Sequence, residues 1–307
     1  MWPELPYPAW RDTLQTVHLW VQIIGKIRLA LTPWLNHSWH VPLYVTAQGI
    51  GTSAMPIDGG ENLEIDFDFI GHRLAMRTSR GDEASFALAP MSVAEFHNRI
   101  FARLRDLGVA VAIDDRPSEM ANATRFALDH AHASYDPAAM HRFWHALVQA
   151  DRVFKLFRSG FLGKASPVHF FWGSFDLAAT RFSGRTAPRH PGGVPGLPDA
   201  VACDAYSNEE CSAGFWPGND AFPRAAFYSY AYPEPTGFRD RPVPGASFDT
   251  TLGEFILPYD TMRTAADPDA MLLDFLAATY AAAADCGKWD RAALECPLGA
   301  PGKVRPL

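Results

Sequence analysis

The order of the predicted helices and strands is the feature that most constrains the fold of this chain. Apolar residues recur at three-and-four spacing over residues 9–31, which predicts a helix, and strand-like runs then lead to a second helix at 92–107. The same order returns from a helix at 136–158, through further strand-like runs, to a helix at 268–285. This pattern predicts an α+β fold of two similar α-β4-α halves, with antiparallel sheets and helices packed on one side.

A weak internal similarity accompanies the repeated order. The spacing from His37 to Pro56 equals the spacing from His169 to Pro188. An internal duplication would join the two sheets and leave a cleft where the halves meet. We therefore expect a binding site between the halves.

The polar, proline-broken segment 114–118 marks the predicted boundary. It divides the chain into an N-terminal α+β half at residues 1–115 and a C-terminal α+β half at 116–307. The second half contains a long loop rich in proline and glycine at 185–205, and loops of this length are often binding loops.

Strands are predicted where β-branched and aromatic residues dominate. They cover residues 34–49, two strands within 63–88, and the runs 109–113, 210–216, 225–232 and 253–257. Residues 164–185 are predicted to form a single strand, whose alternation sends His169 and Asp176 to opposite faces.

Acidic and apolar residues alternate in the run Glu64, Asp66 and Asp68, and Arg73 and Arg77 follow after a short turn. Three carboxylates in a row can bind a cation. The clean alternation and the facing arginines favour a solvated salt-bridge ladder instead.

Composition narrows the classes of partner. The chain has 307 residues, 48% of them hydrophobic, and a formal net charge of -7. This is the composition of a globular protein, and no basic run offers a footprint for phosphates. We expect a small-molecule ligand rather than nucleic acid or a membrane, and the oligomeric state stays open.

Features of targeting and of metal fingers are absent from the sequence. The N-terminus has neither a basic nor an apolar signal region, and the longest apolar runs fall short of about 18 residues. The four cysteines show no metal-finger spacing. These observations predict a cytoplasmic protein with reduced thiols.

Several histidines are candidates for chemistry. His18 falls on the apolar stripe of the first helix, either as a satisfied core residue or in an acid/base role. His37 and His40 differ in strand parity, so a bulge would be needed to bring both to one metal. His141 and His145 share a helix face, which suits a metal or two exposed side chains.

Aromatic residues suggest a ligand pocket. Tyr228 and Tyr230 share one strand face, and with Trp172 and Trp216 they would form apolar walls with hydroxyl groups. Ordinary packing of β-favouring aromatics is the alternative.

Long motifs carry a resemblance to a known family. They include GKASPVHFFWGSFDLAATRFSGR, SAGFWPG, FYSYAYPEP and GEFILPYD. The chain is similar to the bacterial family catalogued as domain of unknown function 5996, from Trp2 to about Leu294. The resemblance implies no reaction. The family pattern often has histidine where this chain has Asn208, so a catalytic role for that histidine would put the activity of this chain in doubt.

Our leading hypothesis is a small-molecule enzyme that acts on an aromatic or unsaturated, anionic substrate by histidine-centred acid/base chemistry. The catalytic candidates are His169, Glu210, Asp176 and His40. The substrate-binding candidates are Arg28, Arg181, Trp172, Trp216, Tyr228 and Tyr230.

Two other classes of function stay open. No cofactor is assigned, but His37, His169 and Glu210 could form a two-histidine, one-carboxylate site for iron or zinc. The last alternative is a small-ligand-binding or sensor protein without turnover.

Overall fold

Two antiparallel sheets and seven helices make up the protein. The structure is a computed structural model, and it describes residues 1–305. Each predicted half contributes one sheet, so the α+β prediction is confirmed. Each sheet has six strands rather than the four that the sequence pattern indicated.

The first sheet is built from short strands around one long hairpin. Its strands are β1 (Tyr44–Val45), β2 (Gly49–Gly51), β3 (Met55–Ile57), β4 (Glu61–Asp68), β5 (Arg73–Thr78) and β6 (Glu83–Ala87). The order is β1-β2-β4-β5-β6, and β3 also pairs with β4. Arg77 reaches Asp66 at 2.7 Å and Arg73 reaches Asp68 at 3.1 Å, so the predicted salt-bridge ladder is present.

The second sheet is a meander with one extra edge strand. Its strands are β7 (His169–Phe171), β8 (Asp176–Thr186), β9 (Asn208–Trp216), β10 (Ala226–Tyr232), β11 (Ser247–Asp249) and β12 (Glu254–Pro258). The order is β11-β12-β10-β9-β8-β7.

The four longest helices agree with the sequence pattern to within a few residues. The helices are α1 (Tyr7–Leu31), α2 (Val93–Asp106), α3 (Pro137–Ser159), α4 (Asp199–Ala205), α5 (Tyr259–Arg263), α6 (Pro268–Cys286) and α7 (Arg291–Leu294). The carboxylates of Asp136 and Asp267 cap α3 and α6 by accepting backbone N–H groups, and a proline follows each cap. Within residues 1–305, none of these helices combines the length and apolar character needed to cross a membrane.

Helices α3 and α6 cover one face of the second sheet. Phe154 of α3 packs against Phe227 of β10, with ring centroids 6.2 Å apart. In the first half, Phe96 of α2 stacks between Phe67 of β4 and Trp20 of α1 at 6.1 and 4.9 Å. The core is therefore continuous from the first sheet through α2 to α1.

A short backbone bridge joins the two sheets. Leu43, just before β1, donates to the carbonyl of Phe170 in β7 at 2.8 Å and accepts from its N–H at 2.7 Å. The edges of the two sheets meet here, next to α1. An internal duplication stays a prediction.

Four segments differ from the sequence prediction. Residues 164–185 form a hairpin, and a turn separates β7 from β8. His169 pairs with Ala178 and Phe171 with Asp176, so His169 and Asp176 lie on the same face of the sheet. The parity prediction was wrong because turn residues do not continue the alternation of a strand.

The other three differences concern the extent of strands and loops. Only β1 and the start of β2 are strands within 34–49, and 109–113 forms no strand. Pro42 limits backbone pairing in the first segment. The segment 185–205 contains the end of β8 and all of α4.

We expect Gly25→Ala to destabilise the protein. A Cβ at Gly25 would overlap the indole of Trp172. Such overpacking costs about 1–3 kcal/mol, and the roughly 1 kcal/mol gained in helix propensity offsets only part of it. Urea unfolding of G25A, W172F and the double variant measures the effect. The smaller ring should relieve part of the loss, and an unchanged or higher midpoint in G25A would contradict this account.

Candidate functional site

A pocket of about 750 Å³ lies on the face of the second sheet that α3 and α6 leave uncovered. The strand register defines its floor, because Tyr228 lies opposite Gly214 and Gly214 opposite Ala178. The first half of α1, the loop at 119–120 and the loop at 218–221 form the walls. The pocket thus lies where segments from both halves meet.

Asp176 is the buried carboxyl group at the floor of the pocket. Its two oxygens accept hydrogen bonds from the hydroxyls of Ser174 and Tyr228. Burial raises the pKa of Asp176, and these two donors act in the opposite direction. A side chain at Gly214 would overlap the Tyr228 ring, so glycine lets the phenol lie flat on the sheet.

Glu119 enters the pocket from a loop that α1 holds in place. The side-chain amide of Gln22 accepts from the N–H of Ser118 at 2.8 Å and donates to its carbonyl at 3.1 Å. Glu119 follows with φ 60°, a left-handed conformation that costs a residue with a side chain about 1–3 kcal/mol. Its carboxyl group lies against Gly173, where a Cβ would overlap it.

The carboxyl groups of Glu119 and Glu254 are shifted to the neutral range. Removal of water around the carboxyl groups raises both pKa values to about 7, and the charge of Asp176 adds to each shift. Glu119 is an exposed residue and Glu254 a half-buried one, so water that enters the pocket screens part of this effect. No lysine or arginine is among the described residues that line the pocket. Apart from Asp220, which Arg11 binds, three carboxyl groups therefore share a cavity without a lining guanidinium or ammonium group to compensate them.

Aromatic residues form the remaining walls. The rings of Tyr228 and Tyr230 stack with centroids 6.2 Å apart. The hydroxyls of Tyr230 and Tyr206 lie 3.1 Å apart, and Trp216 lines the pocket beside them. The cavity suits a flat organic ligand with polar substituents.

His18 lines the pocket from α1 as a neutral imidazole. Its Nε2 donates to the carbonyl of Gly173 at 2.9 Å, and the carbonyl of Trp172 lies at 3.1 Å. Burial lowers its pKa to about 4. The proton on Nε2 leaves the lone pair on Nδ1. His18 is thus a hydrogen-bonded side chain, which was one of the two alternatives, and it also lines the cavity. Its acid/base role stays a prediction.

An exposed cluster fastens the loop at 218–221 to α1. Arg11 donates to both oxygens of Asp220 at 2.6 Å, and the hydroxyl of Tyr7 donates to Asp220 at 2.7 Å. Gln15 adds a bond at 3.1 Å. These bonds hold the pKa of Asp220 well below its usual range. Asp220 therefore holds the loop at 218–221 against α1 at the mouth of the pocket.

Four of the residues proposed from the sequence meet in this pocket. Asp176, Trp216, Tyr228 and Tyr230 all line it. Tyr228 and Tyr230 share one face of β10, as the alternation predicted, because this strand is regular. The register of β10, β9 and β8 then places Asp176 within reach of Tyr228.

His169 and Trp172 lie outside the pocket lining. His169 is buried, neither of its ring nitrogens has a partner among residues 1–305, and burial lowers its pKa to about 3. Trp172 packs against Gly25 and donates its indole N–H to the carbonyl of Val41 at 3.1 Å.

The two proposed arginines are separated from the pocket and from each other. Arg181 lies on the opposite face of the sheet, where its guanidinium is 3.5 Å from the ring centroid of Phe157 and 4.5 Å from that of Tyr280. Arg28 lies in the last turns of α1, next to the segment that contains His40.

The residues of the predicted metal site are dispersed. His37 lies between the carbonyl of Ala205, at 2.7 Å from Nδ1, and the ammonium group of Lys164. Burial raises the pKa of Glu210 to about 8, and nearby Lys164 lowers it. In the described part of the chain, no group of three or more His, Cys, Asp or Glu is arranged to hold a metal ion.

The structure also shows where His141, His145 and Asn208 lie. The rings of His141 and His145 lie 4.5 Å apart on α3, with no third ligand among residues 1–305. Asn208 accepts from Lys164 at 3.1 Å and lies outside the pocket lining.

The sequence analysis missed Glu119, Glu254 and the bonded role of Ser174. Glu254 stands out as one acidic residue in the apolar run Glu254–Leu257, and this signal could have identified it. Glu119 gave no such signal, because it lies in an irregular segment directly after the predicted boundary at 114–118.

Comparison with known proteins identifies one family. The family model described as "Family of unknown function (DUF5996)" matches residues 2–296. No curated protein and no solved structure matches the chain.

The shifted carboxyl groups predict a specific pH dependence of stability. Glu119 and Glu254 bind a proton more tightly in the folded protein than in the unfolded chain, because their pKa rises from 4.5 to about 7. Their contribution therefore favours folding at low pH and is lost as the pH rises from about 4.5 to about 7.

The double variant E119Q/E254Q isolates this contribution. Its free energy of unfolding should rise relative to that of the native protein as the pH increases from about 5 to about 8. Urea unfolding at intervals of about half a pH unit measures this difference. His18 has the opposite effect on the pH dependence of stability, because its pKa is lowered from 6.5 to about 4. It is present in both proteins, so its effect cancels in the comparison. Glu95→Gln on the exposed side of α2 is the control, and a pH-independent difference would contradict the assigned shifts.

We expect Asp220→Asn to loosen the pocket mouth without unfolding the protein. The variant loses the charge that Arg11 binds, and both side chains are largely exposed. Amide hydrogen exchange at residues 217–224 should accelerate by about tenfold or more. Asp260→Asn, at another exposed arginine pair, is the matched control. Equal exchange in the native protein and D220N would show that Asp220 does not fasten the loop.

Proposed function

The chain belongs to this family of unknown function, and we propose that it is a small-molecule enzyme that works by carboxyl acid/base chemistry in the pocket. The observation that carries the proposal is the placement of Glu119 and Glu254 beside Asp176, with pKa values of about 7 for both glutamates. Groups that titrate near neutral pH are the usual agents of proton transfer.

The three carboxyl groups have different tasks in this proposal. At neutral pH, Glu119 and Glu254 are each partly protonated, because burial and the charge of Asp176 bring both pKa values to about 7. The ionised one of the two accepts a proton from a bound substrate, and the protonated one donates a proton to it. Asp176, bonded to Ser174 and Tyr228, fixes the floor and orients the phenol.

The lining also suggests the charge of the substrate. The sequence analysis expected an anionic substrate held by Arg28 or Arg181, but neither arginine lines the pocket. Carboxyl groups and electron-rich rings attract cations. We therefore propose an aromatic or unsaturated substrate whose reacting part is an amine or another neutral or cationic group.

His169 has no role in this proposal, because its ring nitrogens are buried outside the pocket lining. The iron or zinc alternative stays a prediction. It receives no support from a ligand group in the described residues. A ligand-binding protein without turnover uses the same pocket, so the experiment must separate binding from conversion.

The binding test uses three aromatic probes of different charge. Benzylamine, benzyl alcohol and benzoate are titrated into the native protein, and binding is followed by calorimetry. Benzylamine should bind most tightly, and E119Q/E254Q should weaken it by about tenfold or more, since each unit of pKa corresponds to a tenfold factor. Glu95→Gln should bind like the native protein. Preferential binding of benzoate would overturn the proposed charge.

The turnover test uses a bacterial metabolite extract. The native protein and E119Q/E254Q are incubated with equal portions, and mass spectrometry follows compounds that are consumed. Depletion by the native protein alone supports the enzyme. A compound that is retained by the native protein and recovered unchanged would overturn catalysis and support a binding protein.

A further inference from the structure

A second group of buried polar side chains lies outside the pocket, where α1 ends and the chain turns towards β1. Arg28, Ser38 and His40 are only 7%, 7% and 3% exposed. None of them lines the pocket described above. We call this group the α1-end cluster.

Backbone contacts bring the members of the cluster together. The hydroxyl of Thr32 lies 2.6 Å from the carbonyl of Arg28 and 3.2 Å from the carbonyl of His40. The guanidinium of Arg28 lies 5.7 Å from the ring centroid of Tyr44. The chain from 28 to 44 is thus folded back on itself.

The cluster contains several polar atoms without a partner. Among residues 1–305, Nε and Nη1 of Arg28, Oγ of Ser38 and Nε2 of His40 are buried and make no hydrogen bond. Nδ1 of His40 accepts from the N–H of Leu35 at 3.2 Å. The neutral ring therefore carries its proton on Nε2, which makes that atom a donor.

The unpaired atoms of Arg28 and His40 are donors, and the Ser38 hydroxyl can donate as well. A buried guanidinium without a carboxylate is unfavourable, because burial removes the hydration of its Nε and Nη1 and no hydrogen-bond acceptor replaces that water. The carboxylate of Asp204 acts to raise the pKa of His40. This carboxylate already accepts a hydrogen bond from the indole N–H of Trp34 at 3.3 Å. No carboxylate pairs with Arg28 in the described part of the chain.

We propose that the α1-end cluster binds a small oxyanion, either a carboxylate or a phosphate group. Oxygen acceptors would satisfy the N–H groups of Arg28 and His40 together, and the negative charge would compensate the guanidinium. Trp34, which packs on the ring of His40 at a centroid distance of 4.6 Å, is 52% exposed. The anion enters beneath this indole.

The anion site is separate from the proposed catalytic pocket. His18 and Arg28 lie ten residues apart on α1, which corresponds to about 15 Å along the axis. Trp172 lies between them, with its carbonyl near His18 and its indole bonded to Val41. The proposal therefore does not depend on the function of the pocket.

Thermal unfolding of the full protein at constant ionic strength tests the site. Sodium phosphate or sodium acetate replaces sodium chloride in separate titrations. A ligand that binds only the folded state raises the midpoint in a saturable way. We expect such a rise for the native protein and for E119Q/E254Q with at least one of the two anions, and the responding anion identifies phosphate or carboxylate.

Arg28→Met and His40→Phe should weaken the apparent affinity for that anion by about tenfold or more, since each removes donors to it. Arg181→Met is the matched control, because this arginine is also buried but packs among aromatic rings. Its anion response should equal that of the native protein, and Arg185→Met serves as a second, exposed control.

Two results would overturn the proposal. One is a native midpoint that is the same in phosphate, acetate and chloride, together with a higher midpoint for R28M. This result would show that Arg28 is a buried charge met by water alone. The other is an anion response that persists in R28M and H40F, which would place the anion elsewhere.

Discussion

The burial of α1 is the constraint on which the other parts of the structure depend. Most of its 25 residues are buried, and they include the polar side chains of Gln22, Lys26 and Arg28. A helix that is buried on most sides must pack against neighbouring residues on most of its faces. It packs against α2 through Trp20 and against the β7–β8 turn through Gly25. Both candidate sites use residues of this one helix.

The two sites contain uncompensated charges of opposite sign. In the pocket, carboxyl groups lie together with no lining lysine or arginine, and their raised pKa values report this crowding. At the end of α1, Arg28 is buried with unpaired N–H groups in the described structure. Arrangements of this kind reduce stability in the absence of a ligand, and a bound molecule of complementary charge recovers it. Natural proteins retain such costs mainly where they bind or react.

The sequence predicted the fold class and the long helices because their signals are local. Spacing of apolar residues predicted α1, and the helices predicted at 92–107, 136–158 and 268–285 match α2, α3 and α6. The hairpin at 164–185 was interpreted as one strand because the aromatic Trp172 and Phe175 flank Gly173 and Ser174 at its turn. That reading reversed the relation between His169 and Asp176, which depends on pairing rather than on alternation.

The site was predictable only where its residues share a regular strand. Tyr228 and Tyr230 were grouped correctly for this reason, and the register with β9 and β8 connects them to Asp176. Glu119 reaches the same cavity through a loop whose position depends on Gln22, about a hundred residues earlier in the chain. No local pattern records such a contact. The histidines attracted attention by residue type, yet most of them serve the interior or the surface.

The hydrogen bonds on two sides of the pocket differ in how easily they break, so one wall of the cavity is held more firmly than the other. The Gln22 amide engages both backbone groups of Ser118 inside the protein, in the manner of a paired strand, so the Glu119 side moves together with α1. The Asp220 side is fastened by side chains that water already reaches. The wall that carries Glu119 is therefore held more firmly than the wall that carries Asp220.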